Sequence, residues 1–186
     1  MDLASVPSWA WWIAAGLAAL LLFAGGYFGG RLAYRRISRR YLIQIIGRRE
    51  GVLASRRTLE AVVRHLADED DEKFEHFAAH PEDEDRKALS EVARRMEIAT
   101  DELDTMSLPR SLRPAAATLA DAAYIIGEEA GRVGETADPD AVFSSLANVN
   151  ITRVVEAFEA ADAKVTEASE RFELDEAAVY GGGLYI

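Results

Sequence analysis

The chain opens with an apolar stretch, and later segments repeat apolar residues every three to four positions. Residues 9–30 carry no charged side chain. As a helix rising about 1.5 Å per residue, this run spans about 33 Å, close to the roughly 30 Å hydrocarbon core of a bilayer. Trp9, Trp11 and Trp12 lie near one end, where aromatic residues favour the membrane interface. The pattern predicts a transmembrane helix over residues 9–30.

Two other interpretations of this run stay open. One is a buried core helix, although a small domain can seldom bury so long an uncharged run. The other is a cleaved signal peptide, although the first eight residues carry only Asp2 and the terminal amine, and no clear A-x-A site follows. We expect an uncleaved anchor.

Helical spacing of apolar residues continues after the membrane segment. Four residues recur every seven positions: Ile45, Val52, Leu59 and Leu66. No proline interrupts this segment, so it can continue the membrane helix, but Gly47 and Gly51 are places where the helix could break.

Three later segments alternate apolar intervals of three and four residues, the seam of left-handed helix packing. They cover about residues 82–106, 114–135 and 140–172. Their connections are short, which predicts antiparallel neighbours. We therefore expect an all-α protein: one N-terminal transmembrane helix, then a slim antiparallel helical bundle of about four heptad-patterned, coiled-coil-like helices.

The expected organisation has six parts along the chain. They are a short extracytoplasmic N-terminus (1–8), the transmembrane helix (9–30), an Arg-rich juxtamembrane helix (31–66), an acidic connection with a short helix (67–81), the bundle body (82–175) and an apolar Gly-rich tail (176–186).

Charge is divided along the chain, and the division predicts orientation. The net charge is −11, yet residues 31–66 hold ten arginines against only Glu50 and Glu60. The positive-inside rule therefore places the N-terminus outside and the remainder in the cytoplasm of a cell-membrane protein. The acidic remainder disfavours nucleic acid as a partner. Five arginines are expected at anionic lipid headgroups: Arg31, Arg35, Arg36, Arg39 and Arg40. A phosphate on Ser38, among them, would weaken that attraction.

Four glycines near the end of the span form two small-xxx-small pairs, Gly25 with Gly29 and Gly26 with Gly30. Such pairs let a second helix approach closely, which predicts membrane-helix association. Ordinary glycine enrichment in membrane helices is the alternative.

Few residues suggest chemistry. The chain has no cysteine, no phosphate-binding glycine loop and no nucleophile elbow. His76 and His80 lie one helical turn apart, but no H-E-x-x-H accompanies them. We expect no catalytic, metal or cofactor site and no small-molecule substrate. Carboxylates brought together from separate helices leave no spacing signature, so that possibility stays open.

The C-terminal tail is apolar and aromatic and contains three successive glycines. Its expected partner-binding residues are Tyr180, Leu184, Tyr185 and Ile186. Packing on the chain's own bundle, a position at the membrane and a loose tail are the alternatives.

The layout of short outside N-terminus, single span and cytoplasmic helices is similar to that of LemA-family membrane proteins, a likeness of architecture alone. We expect a membrane-anchored scaffold or adaptor acting through protein–protein contacts. A dimeric signal-transmitting subunit is the alternative, and a membrane-bound enzyme is the third hypothesis.

Overall fold

A computed structural model describes residues 8–68 and 70–174, and that part of the chain is helical, with no strand. The helices are α1 (Ser8–Ala67), α2 (Asp71–Ala79), α3 (Glu84–Thr105), α4 (Arg113–Gly134), α5 (Pro139–Ala147) and α6 (Ile151–Arg171). The all-helical prediction is confirmed for the described residues, which form six helices.

Helix α1 is one uninterrupted helix of 60 residues. At about 1.5 Å per residue it is about 90 Å long. It passes through Gly47 and Gly51, which therefore do not break it. A glycine inside a helix costs about 1 kcal/mol. Burial of Ile45 and Val52 beside these glycines supplies more than that.

The two halves of α1 differ in exposure. Leu22 and Phe23 are 77% and 79% exposed, and the most apolar window of the helix has none of its residues buried. This part of α1 is long and apolar enough to cross a membrane. No other described residue covers this part of α1.

From Ser38 onward α1 is packed. Ser38 is fully buried, and Leu42, Ile45 and Ile46 follow it into the core. A phosphate on Ser38 would need α1 to separate from its neighbours. In this packing the Ser38 hydroxyl is therefore not accessible to a modifying enzyme.

Polar contacts fix the direction of α3 relative to α1. His65 lies 2.9 Å from Asp85, and Arg48 lies 2.9 Å from Glu102. The later residue of α1 pairs with the earlier residue of α3, and the earlier residue of α1 pairs with the later one. The two helices therefore run in opposite directions.

Helices α4 and α6 also align with α1. The Tyr34 hydroxyl lies 2.8 Å from the Ser111 hydroxyl, just before α4, so α4 starts near the exposed half of α1. Arg39 Nε donates to the Phe172 carbonyl at 2.8 Å, and Arg49 pairs with Asp162. Helix α6 thus runs back toward the exposed half of α1.

The predicted apolar seams form the core. Among their positions, Met106 and Ile151 are half-buried and the rest are buried. The buried ones are Ile45, Val52, Leu59 and Leu66 in α1; Leu89, Val92, Met96, Ala99 and Leu103 in α3; Leu112, Ala116, Leu119, Ala123, Ile126, Ala130 and Val133 in and before α4; and Val154, Phe158, Ala161, Val165, Ala168 and Phe172 in and after α6.

The predicted helix over 140–172 is two helices, and this is a correction. Helix α5 ends at Ala147, with Asn148 as its C-cap. Helix α6 starts at Ile151, where the Asn150 side chain accepts a hydrogen bond from the Arg153 N–H. Asparagine favours helix ends because its short polar side chain bonds to nearby backbone groups. The two asparagines therefore end one helix and start the next.

Two glycines let α3 and α4 pack closely. A Cβ at Gly134 would lie 2.7 Å from the Ser90 backbone nitrogen, and one at Gly127 would lie 3.0 Å from the Met96 Cβ. At Gly51 nothing lies within 4 Å of such a Cβ. The lack of a side chain is thus required at the α3–α4 contact and not in the middle of α1.

We expect Gly134→Ala to lower the free energy of unfolding by about 1–3 kcal/mol, because the added methyl group forces the backbone of α3 away. Gly51→Ala is the matched control and should be neutral or raise it by up to about 1 kcal/mol. Denaturant unfolding of the full chain in mild detergent, followed by far-UV circular dichroism, measures both. Equal effects of the two substitutions would contradict the close α3–α4 contact.

Candidate functional site

The predicted docking residues of the tail lie outside the described residues. They are Tyr180, Leu184, Tyr185 and Ile186, and their role stays a prediction. The described chain stops at Leu174, close to where Arg39 donates to the Phe172 carbonyl. The last described residues thus lie beside Arg39 of α1.

The predicted helix-association glycines lie on α1, in its exposed half. Gly25, Gly26, Gly29 and Gly30 are all exposed, and no described atom apart from the adjoining backbone of α1 lies within 4 Å of a Cβ placed at any of them. These faces are open to another helix. Their association stays a prediction.

The five predicted lipid-facing arginines divide into two groups. Arg35 and Arg39 point toward the end of α6, where their guanidinium groups lie 3.8 and 3.9 Å from the Glu173 carboxylate. These pairs are exposed, so each adds little stability.

The other three, Arg31, Arg36 and Arg40, are exposed and have no ion-pair partner among the described residues. They lie within ten residues of Gly30, the last residue of the uncharged run. Their charges are therefore available to an outside anion. Binding of a lipid headgroup by them stays a prediction.

An open groove runs between α3 and α4, and sequence analysis missed it. Its volume is about 520 Å³. Ala93, Gly127 and Gly131 are among its lining residues, and their small size leaves room between the helices. Tyr124, which is 59% exposed, also lines it. Most large apolar side chains exposed elsewhere lie on the first half of α1, so this tyrosine stands out on the packed part of the chain.

The groove carries a surplus of negative charge. Glu97, Asp101 and Glu135 line it and have no ion-pair partner within the described ranges. The positive charge of Arg132 is already paired, because its guanidinium lies 2.5 Å from the Glu128 carboxylate. The site combines an apolar floor with free carboxylates. That arrangement can bind a positively charged, partly apolar ligand.

A buried arginine holds the end of the α3–α4 pair that lies far from the exposed half of α1. Arg86 is 1% exposed, and its guanidinium donates to the carbonyls of Phe77, Ala78, Gly134 and Thr136. These acceptors belong to the end of α2 and to the end of α4 and the loop after it. The Arg86 side chain thus connects α3 to the end of α2 and to the end of α4 with the loop after it.

Burial lowers the pKa of the Arg86 guanidinium, and the Asp83 carboxylate partly opposes this shift. Arginine nevertheless stays protonated in proteins. Its role here is structural. A signal for it was present, because Arg86 stands three residues before Leu89 and so on the seam of α3.

The histidines lie at the same far end as Arg86. The His76 and His80 rings are stacked with 4.1 Å between centroids, and His80 Nδ1 bonds to the His76 carbonyl at 2.9 Å. His65 pairs with Asp85. The fold brings His65 to this end, which the sequence did not predict. The described residues contain no group of three or more His, Asp or Glu side chains placed to hold a metal ion.

Glu129 is the buried acidic residue of the described ranges, 1% exposed. Its carboxylate lies 3.5 Å from both Arg132 and Arg153, and it accepts a hydrogen bond from the Asn150 N–H at 3.3 Å. These partners neutralise it and fix the start of α6.

No protein-family model matches this chain, and neither does any curated protein or solved structure. The architectural likeness to LemA-family proteins therefore has no support from a family match.

Proposed function

We propose that this protein is a single-pass, membrane-anchored cytoplasmic scaffold or adaptor. Its N-terminus lies outside, residues 9–30 cross the membrane, and the remaining helices form a slim antiparallel bundle against the inner surface. The observation that carries the proposal is the continuity of α1, because one helix joins the exposed apolar stretch to the packed core.

Two features support the anchor and its orientation. The large apolar side chains that the structure describes before Ile37 are exposed, which is unfavourable in water and favourable in lipid. The basic residues follow the apolar run and none precedes it, as the positive-inside rule requires for a cytoplasmic C-terminal part.

The α3–α4 groove supports the adaptor role. Its ligand, we propose, is a basic amphipathic helix of a partner protein. Lysine or arginine side chains would pair with Glu97, Asp101 and Glu135, and small apolar residues would pack over Gly127 and Gly131. Confinement to the membrane raises the effective concentration of such a partner. The tail is a second proposed contact with a partner protein.

The second candidate is a dimeric signal-transmitting subunit, and the same continuity of α1 favours it. A rotation or tilt of an uninterrupted helix is carried into whatever packs against its far half. Gly25 and Gly29 would form the dimer contact. This function requires two copies, whereas the adaptor does not, so the oligomeric state in lipid nanodiscs separates them. We propose no catalytic activity.

The lack of cysteine allows a direct test of topology. We expect a cysteine at Ser5 to react with a membrane-impermeant thiol reagent in intact cells, and one at Ala61 to react only after permeabilisation. The intact mass should remain near 20.4 kDa, which excludes cleavage of the apolar run. Labelling of the Ala61 cysteine in intact cells would contradict the orientation, and release by carbonate extraction would contradict the span.

Photo-crosslinking in native membranes tests the adaptor role. A photo-crosslinking amino acid at Tyr124 should give one dominant product, whose cross-linked peptide is a helical segment rich in lysine or arginine. Glu97→Lys should reduce its yield at least about tenfold, because like charges then face each other in the groove. A crosslinker at Ile98, exposed on α3 outside the groove, is the control. Equal products from both positions, or an acidic peptide, would contradict the proposal.

A further inference from the structure

The loop between α3 and α4, Met106–Leu112, reaches back along α1 beyond the end of α3. Helix α3 ends at Thr105, three residues after Glu102, which pairs with Arg48. The loop then extends to Tyr34, whose hydroxyl lies 2.8 Å from that of Ser111. Arg48 and Tyr34 are 14 positions apart on α1. The last turn of α3 and the loop together thus cover about 20 Å of the helix toward its exposed half.

The depth of Ser111 relative to a membrane follows from its contact with α1. Tyr34 is four residues after Gly30, the last uncharged residue of the apolar run, so it lies about 6 Å beyond the run. The polar headgroup layer of one leaflet is about 5–8 Å thick. Helical Cα–Cβ bonds also tilt toward the N-terminus of the helix, here toward the membrane. Ser111 therefore lies at the depth of the headgroups.

This loop is basic in an acidic chain. Between Asp104 and Asp121 there is no acidic residue, although the net charge is −11. Arg110 is exposed and has no ion-pair partner in the described part of the chain. Arg113 is exposed, and its Nε donates to the Leu108 carbonyl at 3.4 Å, which leaves its charge uncompensated by a carboxylate.

The loop is also held in place, so its arginines are presented from a fixed support. Leu108 and Leu112 are buried. The Leu112 N–H donates to the Pro109 carbonyl at 2.9 Å, and the Leu108 N–H donates to the Met106 carbonyl at 2.9 Å. Little ordering is needed when such a loop meets a ligand.

We infer that the Met106–Leu112 loop, with the adjoining Arg113, is a second membrane contact that binds anionic phospholipid headgroups through Arg110 and Arg113. The inference rests on the proposed span at residues 9–30. With Arg31, Arg36 and Arg40 on α1, the loop gives the core two separate attachments to the same surface. A single helix leaves its domain free to lean, whereas two attachments fix the tilt. The acidic far end, around Asp83 and Asp85, then points away from the lipid.

Spin labels on the full chain in nanodiscs test this inference. Single cysteines at Ser107 on the loop, Ile37 on α1 and Ala61 about 36 Å farther along α1 carry the label. Nickel ions held by chelating lipids in the disc shorten the spin relaxation times of labels that lie near the headgroups. With phosphatidylserine present, the Ser107 label should be relaxed as strongly as the Ile37 label, and at least about twofold more than in phosphatidylcholine alone.

Charge substitution supplies the second arm. Arg110→Glu should remove the phosphatidylserine-dependent increase at Ser107, and Arg110→Gln should reduce it. Arg57→Glu is the matched control, because Arg57 is exposed on α1 about 35 Å from Tyr34, and it should have no effect.

The outcomes separate this inference from the proposed function. Relaxation at Ile37 with none at Ser107, or relaxation at Ser107 that does not depend on phosphatidylserine or Arg110, would overturn the loop contact and leave the span intact. Absence of relaxation at both Ile37 and Ser107 would contradict the span and the inference together.

Discussion

A helix that continues without interruption from an apolar stretch into a packed core couples the two mechanically. In this protein α1 is that helix, and its second half is the surface on which α3, α4 and α6 are arranged. The tilt of α1 in lipid would set the tilt of the core, because no loop separates them. Backbone hydrogen bonds through Gly47 and Gly51 make this coupling possible, and burial of the residues around them maintains it.

The remaining structure depends on close approach between small residues and on a few buried polar groups. Alanine and glycine on α4 bring it near α3, so little area is buried per residue but the two backbones pack tightly. Arg86 and Glu129 then close the far end through bonds to backbone groups and neighbouring charges. The same small residues leave the groove beside Tyr124 open. Packing and the proposed docking surface therefore have one origin.

The seam residues and the all-helical class could be read from the sequence because period and burial follow the same physical rule. Positions such as Leu119 and Val165 are apolar at helical spacing and are fully buried. The break at Asn148–Asn150 was missed because the apolar spacing continues across it, while two capping side chains decide the local backbone. A helix cap depends on one or two hydrogen bonds from a single side chain. The spacing of apolar residues carries no information about such bonds.

The groove and the loop contact lay beyond sequence reasoning for a different reason. Each depends on which helices become neighbours, and the spacing along one helix does not specify that. Gly127 and Gly131 carry no signal of a groove until α3 lies beside them. Arg110 is an ordinary loop arginine until the Tyr34–Ser111 contact places it beside the arginine-rich part of α1. The net charge of each chain segment places the Met106–Leu112 loop in the acidic part of the sequence. In the folded chain, however, the loop lies near the arginines of α1.

The continuity of α1 is the claim on which the account depends, and one distance tests it. Spin labels at Phe28 and Ala61, both exposed, are separated by 33 residues. Double electron–electron resonance on the full chain in nanodiscs should give a narrow distribution centred near 50 Å, the length of a straight helix of about 1.5 Å per residue. A broad distribution, or a centre well below that distance, would show a hinge between the apolar stretch and the core and would contradict the account.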